Sequence, residues 1–323
     1  MSEELSVIMC ARNEERHIAG AVKSLQLAAH PEWELIIVDD SSTDRTGAVI
    51  EQFRKKLPNI RTHRFDVNMG QGIARNFGLM LAKGEYLAFL DADDYVHADK
   101  LQTHVALART KNVDILAGGH RRIYDVGEKS CPAPEGEYPG RVAAALYLAR
   151  EFASWGSCFH LFKRGHILRN ACFFTPHFYY EDVVFCVNAF YKASNVLSLK
   201  EGFYVYRCNN QSTTRINTNS QLHLLSSARL YFDIAQFINT VSNAGLYSAA
   251  FNKICEILVN EHFPKMLPVL KYGGNLRDPE FYNTFISYIN CKKSLFSDSV
   301  LHVVSSQCTK NDDVLKQIER VSA

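Results

Sequence analysis

Residues 68–96 read NMGQGIARNFGLMLAKGEYLAFLDADDYV. Gly70 and Gly72 open a segment that carries Ile73, Phe77 and Leu81 at helical spacing, and Lys83-Gly84 closes it. EYLAFL follows as a short continuous apolar run, the pattern of a strand covered on both faces. That run ends on Asp91, Asp93 and Asp94. A helix leading into a doubly covered strand is the building unit of a parallel α/β sheet, and ligands on such sheets sit beyond the carboxyl ends of the strands. Three acids at that point repel one another and resist burial. If the loop turns, Asp91 and Asp93 can both reach one cation, and carboxylate oxygens suit Mg2+ or Mn2+.

The same unit recurs toward the N-terminus. LSVIMC (5–10) is an apolar strand followed by the polar ARNEE and a helix with Ile18, Val22 and Leu25 on one face. WELIIVDD (33–40) is a second strand, SSTD supplies caps for a helix carrying Val49, Phe53 and Leu57, and IRTHRF (60–65) is a third. The fold class expected is α/β with a mainly parallel central sheet, with ARNEE, DDSSTD and DADD all at the carboxyl ends of strands. Residues 125–140, rich in Pro, Gly and Glu, read as an exposed loop. Beyond about 215 the pattern turns helical, with Leu225, Ala228, Phe232 and Ala235 at helical spacing. The chain thus divides into an α/β domain over 1–215 and a helical region over 216–323.

Composition narrows the function classes. The 323 residues carry 36 basic and 34 acidic side chains, for a net charge of +2, with no basic stripe. That argues against nucleic acid as a partner. The nine cysteines form no CxxC pair and are odd in number, which favours neither a zinc site nor a disulfide framework. The N-terminal MSEELSVIMC lacks the basic residues of a signal peptide, and no segment reaches the ~18 apolar residues of a membrane span. A cytoplasmic location is expected, with peripheral contact at the inner face of the membrane left open.

Individual acids have plain readings beside functional ones. An ordinary acidic turn explains Asp91 and Asp93 taken alone, and Asp94 is equally a capping residue, so it is left out of the cation site. Asp39 and Asp40 end the second strand at the same sheet edge. Ser42 and Asp44 suffice as caps there, which leaves Asp40 to accept hydrogen bonds from a ribose or a base. Arg75 stands where it meets a phosphate or braces an acid. The first strand is followed by ARNEE rather than GxGxxG, which counts against an NAD enzyme.

Taken together, SVIMCARNEE, ELIIVDDSSTDRT, residues 68–96 and FYYEDVVF resemble, in order and spacing, the family 2 glycosyltransferases of GT-A fold. The bacterial enzymes of capsule, lipopolysaccharide and other cell-surface glycan assembly are the most similar. The first ~100 residues carry most of the likeness, 155–215 carry some, and the tail carries none. The resemblance implies an inverting hexosyltransferase that uses a nucleotide-diphosphate sugar and Mg2+ or Mn2+. It implies that Ala11, Arg12 and Glu14 border the nucleoside and that Asp40 faces the base, uracil in a UDP-sugar. It further implies that Asp91 and Asp93 hold metal and diphosphate, Asp93 being the stronger metal ligand, and that Asp182, beside Glu181, is the catalytic base. The partners implied are a UDP-sugar and a glycan or lipid-linked acceptor, with a homo-oligomer left open and the helical region assigned to acceptor, subunit or membrane contact.

Two positions depart from the family pattern. Arg12 stands where many relatives have Tyr, which alters stacking on the nucleoside. His160 stands where many have Lys or Arg, which puts a cationic contact there in doubt, because His is mostly neutral at pH 7. Arg207 and Arg215 flank the polar loop CNNQSTT and are candidates for clamping a diphosphate or an anionic acceptor. Two rivals remain in view. A sugar-phosphate nucleotidyltransferase should show a Gly-rich basic loop after the first strand, and a non-catalytic nucleotide-sugar-binding protein should have lost Asp93 or Asp182.

Overall fold

The computed structural model describes residues 3–208, apart from 151, 153, 154, 177 and 178, and of the remainder only 226, 230, 234 and 237. The chain divides into two units, Met1–Ser212 and Thr213–Ala323. The first unit opens with three α/β repeats: β1 (Leu5–Ala11), α1 (Ile18–Ser24), β2 (Trp33–Asp39), α2 (Thr46–Lys56), β3 (Ile60–Arg64), α3 (Gln71–Leu81) and β4 (Tyr86–Phe89). β1, β2 and β4 are largely apolar and buried almost throughout, whereas the edge strand β3, IRTHR, buries only Ile60. The four strands pair in parallel in the order β3-β2-β1-β4. Side chains alternate between the faces: Val7, Met9, Leu35 and Ile37 join the core with α1 and α2, whereas Ile8 meets α3. Gly78 makes that last approach possible, since a Cβ there would lie 2.5 Å from Ile8 Cγ2.

Beyond β4 the sheet becomes mixed. β5 (Tyr95–Val96) leads into α4 (Ala98–Lys111) and β6 (Ile115–Ile123). The segment read as a loop over 125–140 instead contains β7 (Glu128–Cys131) and β8 (Gly136–Tyr138), which pair antiparallel with β6 and β10. Their side chains are mostly exposed, so neither carries an apolar alternation to read, and Gly127 at φ +85° makes the turn into β7. After α5 (Gly140–Leu148) and a short turn at Ser157–Phe159, β9 (His160–Lys163) inserts antiparallel between β4 and β6. α6 (Arg164–Arg169), α7 (Glu181–Lys192) and β10 (Val196–Arg207) complete the unit. β10 runs parallel to β6, shifts register between Leu199 and Tyr204, and pairs at its end with β5.

The amino ends of the strands are locked by a buried polar node. Glu34 Oε1 accepts from Ser6 Oγ (2.7 Å) and from Lys83 N–H (2.7 Å), Ser6 Oγ accepts from Gly84 N–H (2.7 Å), and Arg61 reaches Glu34 Oε2 at 3.2 Å. The node fixes the turn between α3 and β4, and thereby where the sequence after β4 emerges at the opposite end of the sheet. Glu34→Ala is expected to cost about 3 kcal/mol in chemical denaturation, because it leaves buried donors unpaired.

Candidate active site

The carboxyl ends of β1, β2 and β4 form one edge, and the loops there are stitched to each other. Ala11 is buried at the end of β1, and its carbonyl accepts Asp40 N–H at 2.9 Å. The ARNEE loop is held on the DDSSTD loop: Thr43 N–H donates to Asn13 Oδ1 (2.8 Å), Glu14 N–H to Thr46 Oγ1 (2.7 Å) and Glu15 N–H to Asp44 Oδ2 (3.1 Å). Asp44 Oδ1 also takes Thr46 N–H at 2.9 Å, which starts α2. Arg12 is exposed at the rim, and half-buried Glu14 is held by His17 Nδ1 at 2.8 Å. Asp39 pairs with Arg64 at 2.6 Å and takes Ser42 N–H. Asp40 is buried, with Oδ1 accepting Met69 N–H (2.7 Å) and Oδ2 accepting Gly70 N–H (2.9 Å). Both oxygens therefore organise the Gly-rich loop, and each keeps a second lone pair for a ligand. Gly70 has φ +86° with open space beyond its Cα, so the loop needs glycine for its backbone and not for room.

Arg75 ties this edge to the far part of the unit. It projects from α3, is 5% exposed, and donates Nη1 to Glu181 Oε1 (2.6 Å) and Nη2 to Asp91 Oδ1 (2.8 Å). Gln71 Nε2 adds a bond to the same Asp91 oxygen at 3.3 Å, and Phe174 lies 5.3 Å from the guanidinium. Burial opposes the Arg75 charge, and Asp91, Glu181 and Asp182 outweigh it, so the guanidinium stays protonated. Glu181 and Asp182 form the first turn of α7. Burial pushes Glu181 up to about 7, with Arg75 pulling down and Asp182 pushing up. Burial also raises Asp182, against the opposing pull of Arg75. Cys10, beside the same charges, is pushed by burial to about 12 and remains a thiol.

The acids after β4 separate into two kinds. Asp91 and Asp93 are half-exposed at the rim. Asp94 is 1% exposed, accepts from Tyr204 Oη (2.7 Å) and Arg207 N–H (2.7 Å), and is raised to about 8 by burial and by Asp91 and Asp93. Arg207 lies against the loop: Nε donates to the Asp93 carbonyl at 3.0 Å, and the guanidinium sits 5.2 Å from the Tyr95 ring. Among the described residues no group of three or more His, Cys, Asp and Glu is arranged for a metal ion. Asp91 and Asp93 offer hard oxygen donors of the kind Mg2+ and Mn2+ prefer, with the remaining ligands to come from phosphate oxygens and water. The pair fits a cation that arrives with a diphosphate.

His160 lies elsewhere. It is fully buried at the start of β9, among Tyr147, Phe159, Phe162 and Phe190, and burial lowers its pKa to about 3. It is a neutral core ring and supplies no cation. Arg215 and the helical region proposed over 216–323 fall outside the described residues, apart from the four positions named above. Gln71 and Tyr204 belong to the site's surroundings and were not singled out from the sequence, whereas Asp94 was set apart from the cation pair there. Tyr204 sits in a strand run, FYVYR, that gives no sign of which ring faces the loop.

The family model described as Glycosyl transferase family 2 matches residues 6–167 of the 323. Among curated proteins, the poly(ribitol-phosphate) beta-N-acetylglucosaminyltransferase TarS of Staphylococcus aureus is 26% identical over 264 residues, which cover 80% of this chain and 44% of that protein. The putative teichuronic acid biosynthesis glycosyltransferase TuaG of Bacillus subtilis is 35% identical over 134 residues, 41% of this chain and 53% of that one. The chain thus spans about half the length of these relatives. Among solved structures, S. aureus TarS 1-349 in complex with UDP-GlcNAc superposes with a TM-score of 0.66 at 20% identity, covering 88% of this chain and 81% of that one. The mannosyltransferase PcManGT of Pyrobaculum calidifontis, in complex with GDP-Man and Mn2+, gives a TM-score of 0.57 at 15% identity, covering 96% and 80%. The chain belongs to glycosyl transferase family 2, and its α/β unit has the GT-A fold.

Proposed function

We propose that this chain is an inverting glycosyltransferase. It would move a sugar from a UDP-sugar to an acceptor hydroxyl in the synthesis of a surface polysaccharide or glycolipid. The observation that carries the reading is the Arg75 bridge, which brings the acids after β4 and those opening α7 to one sheet edge. Asp40, buried against the Gly-rich loop beside Ala11, is the candidate for reading the base, and Arg12 and Glu14 follow Ala11 on the adjoining loop. The UDP-GlcNAc bound by the structural neighbour TarS supports a UDP-sugar. The helical region, 216–323, is proposed to carry acceptor, subunit or membrane contacts. Among the described residues no helix is long and apolar enough to cross a membrane.

Charge balance supports a divalent cation held by Asp91 and Asp93. Asp91, Glu181 and Asp182 act together on the Arg75 guanidinium, whose donors Asp91 and Glu181 already occupy, and Asp93 stands on the same loop as Asp91, so an anionic diphosphate would be repelled unless positive charge comes with it. Bound there, Mg2+ or Mn2+ would offset the charge that develops on the departing diphosphate. Asp182 takes the acceptor proton as that oxygen bonds to C1 and the C1–O bond to the diphosphate breaks on the opposite face. Glu181 is clamped by Arg75 and is the less available of the two. The elevated pKa of Asp182 makes it a stronger base than an ordinary aspartate.

Incubation with a panel of nucleotide sugars and Mn2+ or Mg2+ should release UDP, and no release or binding with any of them overturns the reading. Asp182→Asn should lower kcat by about 10²–10⁴-fold, the usual contribution of a positioned base, while UDP affinity stays within about threefold. Full activity in a folded Asp182→Asn protein would remove the base assignment. The base works only when deprotonated, so kcat falls as pH drops through its pKa. Because burial raises that pKa, the acidic limb should lie above the ~3.9 of a free aspartate. A pH–rate profile flat down to pH ~4 would contradict it.

A further inference from the structure

β10 grips the DADD loop from the far side of the sheet. Its end pairs with β5, setting Tyr204 opposite Val96 and Val205 opposite Tyr95. From that register, contacts reach each of the loop's acidic residues. Tyr204 Oη accepts Asp91 N–H at 3.3 Å and donates to Asp94 Oδ2 at 2.7 Å. Asp94 Oδ1 accepts Arg207 N–H at 2.7 Å, and Arg207 Nε donates to the Asp93 carbonyl at 3.0 Å. Tyr204 and Asp94 are 0% and 1% exposed, so neither side chain is open to a ligand. A phenol has one proton, and giving it to Asp94 leaves a lone pair for the Asp91 amide.

The backbone of Asp91 and Asp93 is thereby held from behind, while their carboxylates stand at the rim. Arg75 and Gln71 hold the Asp91 carboxylate, but the spacing between Asp91 and Asp93 is set by the loop backbone, and a loose backbone would have to be reordered by a ligand on binding. Fixing the backbone first removes that cost, as supporting hydrogen bonds do around metal ligands generally. We infer that Tyr204, acting with Asp94, is a positioning residue that presets the Asp91–Asp93 loop for a cation and a nucleoside diphosphate. The inference rests on the transferase reading above.

The test is calorimetric binding of UDP with and without Mn2+, together with Tm, on the full chain. Tyr204→Phe should weaken Mn2+-dependent UDP binding about tenfold, the lower end of the effect of removing such support, and leave Mn2+-free binding within about twofold. Tyr86→Phe is the matched control. Its buried hydroxyl bonds the carbonyls of Ala108 (2.8 Å) and Val113 (2.7 Å), at the other end of the strand, so it should lower Tm without changing either affinity. Asp94→Asn keeps an acceptor for Arg207 N–H and a polar partner for Tyr204, and should hold Mn2+-dependent affinity within about threefold, whereas Asp94→Ala should lose it like Tyr204→Phe. If Tyr204→Phe does not fold, the Asp94 pair carries the same comparison. A Tyr204→Phe protein that loses Tm and keeps wild-type Mn2+-dependent affinity overturns the inference alone. A wild-type protein with no Mn2+-dependent UDP affinity overturns the UDP and cation part of the reading above, and this inference with it.

Discussion

The site depends on one buried charge. Arg75 has left water almost completely, and a guanidinium so placed is tolerable only if its donors are taken and its charge is met. Asp91 and Glu181 do both, from the loop after β4 and from the first turn of α7. The pair of bonds joins positions 106 residues apart in the case of Glu181 and 16 in the case of Asp91. No other contact described for the unit connects the loop after β4, the Gly-rich helix and the acids of α7 so directly. Replacing the arginine by lysine would keep a charge and lose the fork that reaches two carboxylates at once.

Around that charge the protein separates acids buried on partners of its own from acids left part-exposed at the edge. Glu34, Asp39 and Asp94 are buried and spend their oxygens on donors of the chain itself. Asp91, Asp93 and Asp182 are half-exposed. Asp40 is intermediate, buried yet set beside the opening and bonded only to loop amides. The protein thus holds its acids in place through backbone N–H groups, hydroxyls and arginines, so that they need not rely on solvent.

The relatives place this arrangement in a common setting without fixing its particulars. The α/β unit superposes on enzymes that bind UDP-GlcNAc in one case and GDP-Man in another. In this chain Arg12 stands in the loop after β1 in place of the frequent tyrosine, and His160, at the start of β9, is neutral and buried in place of a cation. The second departure moves any cationic contact to other side chains, and Arg75 is the buried cation already at the edge.

The sequence alone determined the strand–helix alternation through β4, the placing of ARNEE, DDSSTD and DADD at one edge, and the family. Those features are local: apolar runs, helical spacing and caps within ~10 residues of each other. It also set Asp94 apart from the rim pair, though with no partner to give it. The antiparallel additions β7, β8 and β9 were not legible, because their exposed or short strands lack a period to read. Arg75 could be read as bracing an acid, but that it holds Asp91 and Glu181 was decided only when the first turn of α7 reached it. Likewise His160 looked like a site candidate until its aromatic surroundings were known, and Tyr204 looked like any strand tyrosine. What a side chain faces is settled by contacts between residues distant in the chain, and a period of two or 3.6 says only which side of its own element it leaves from.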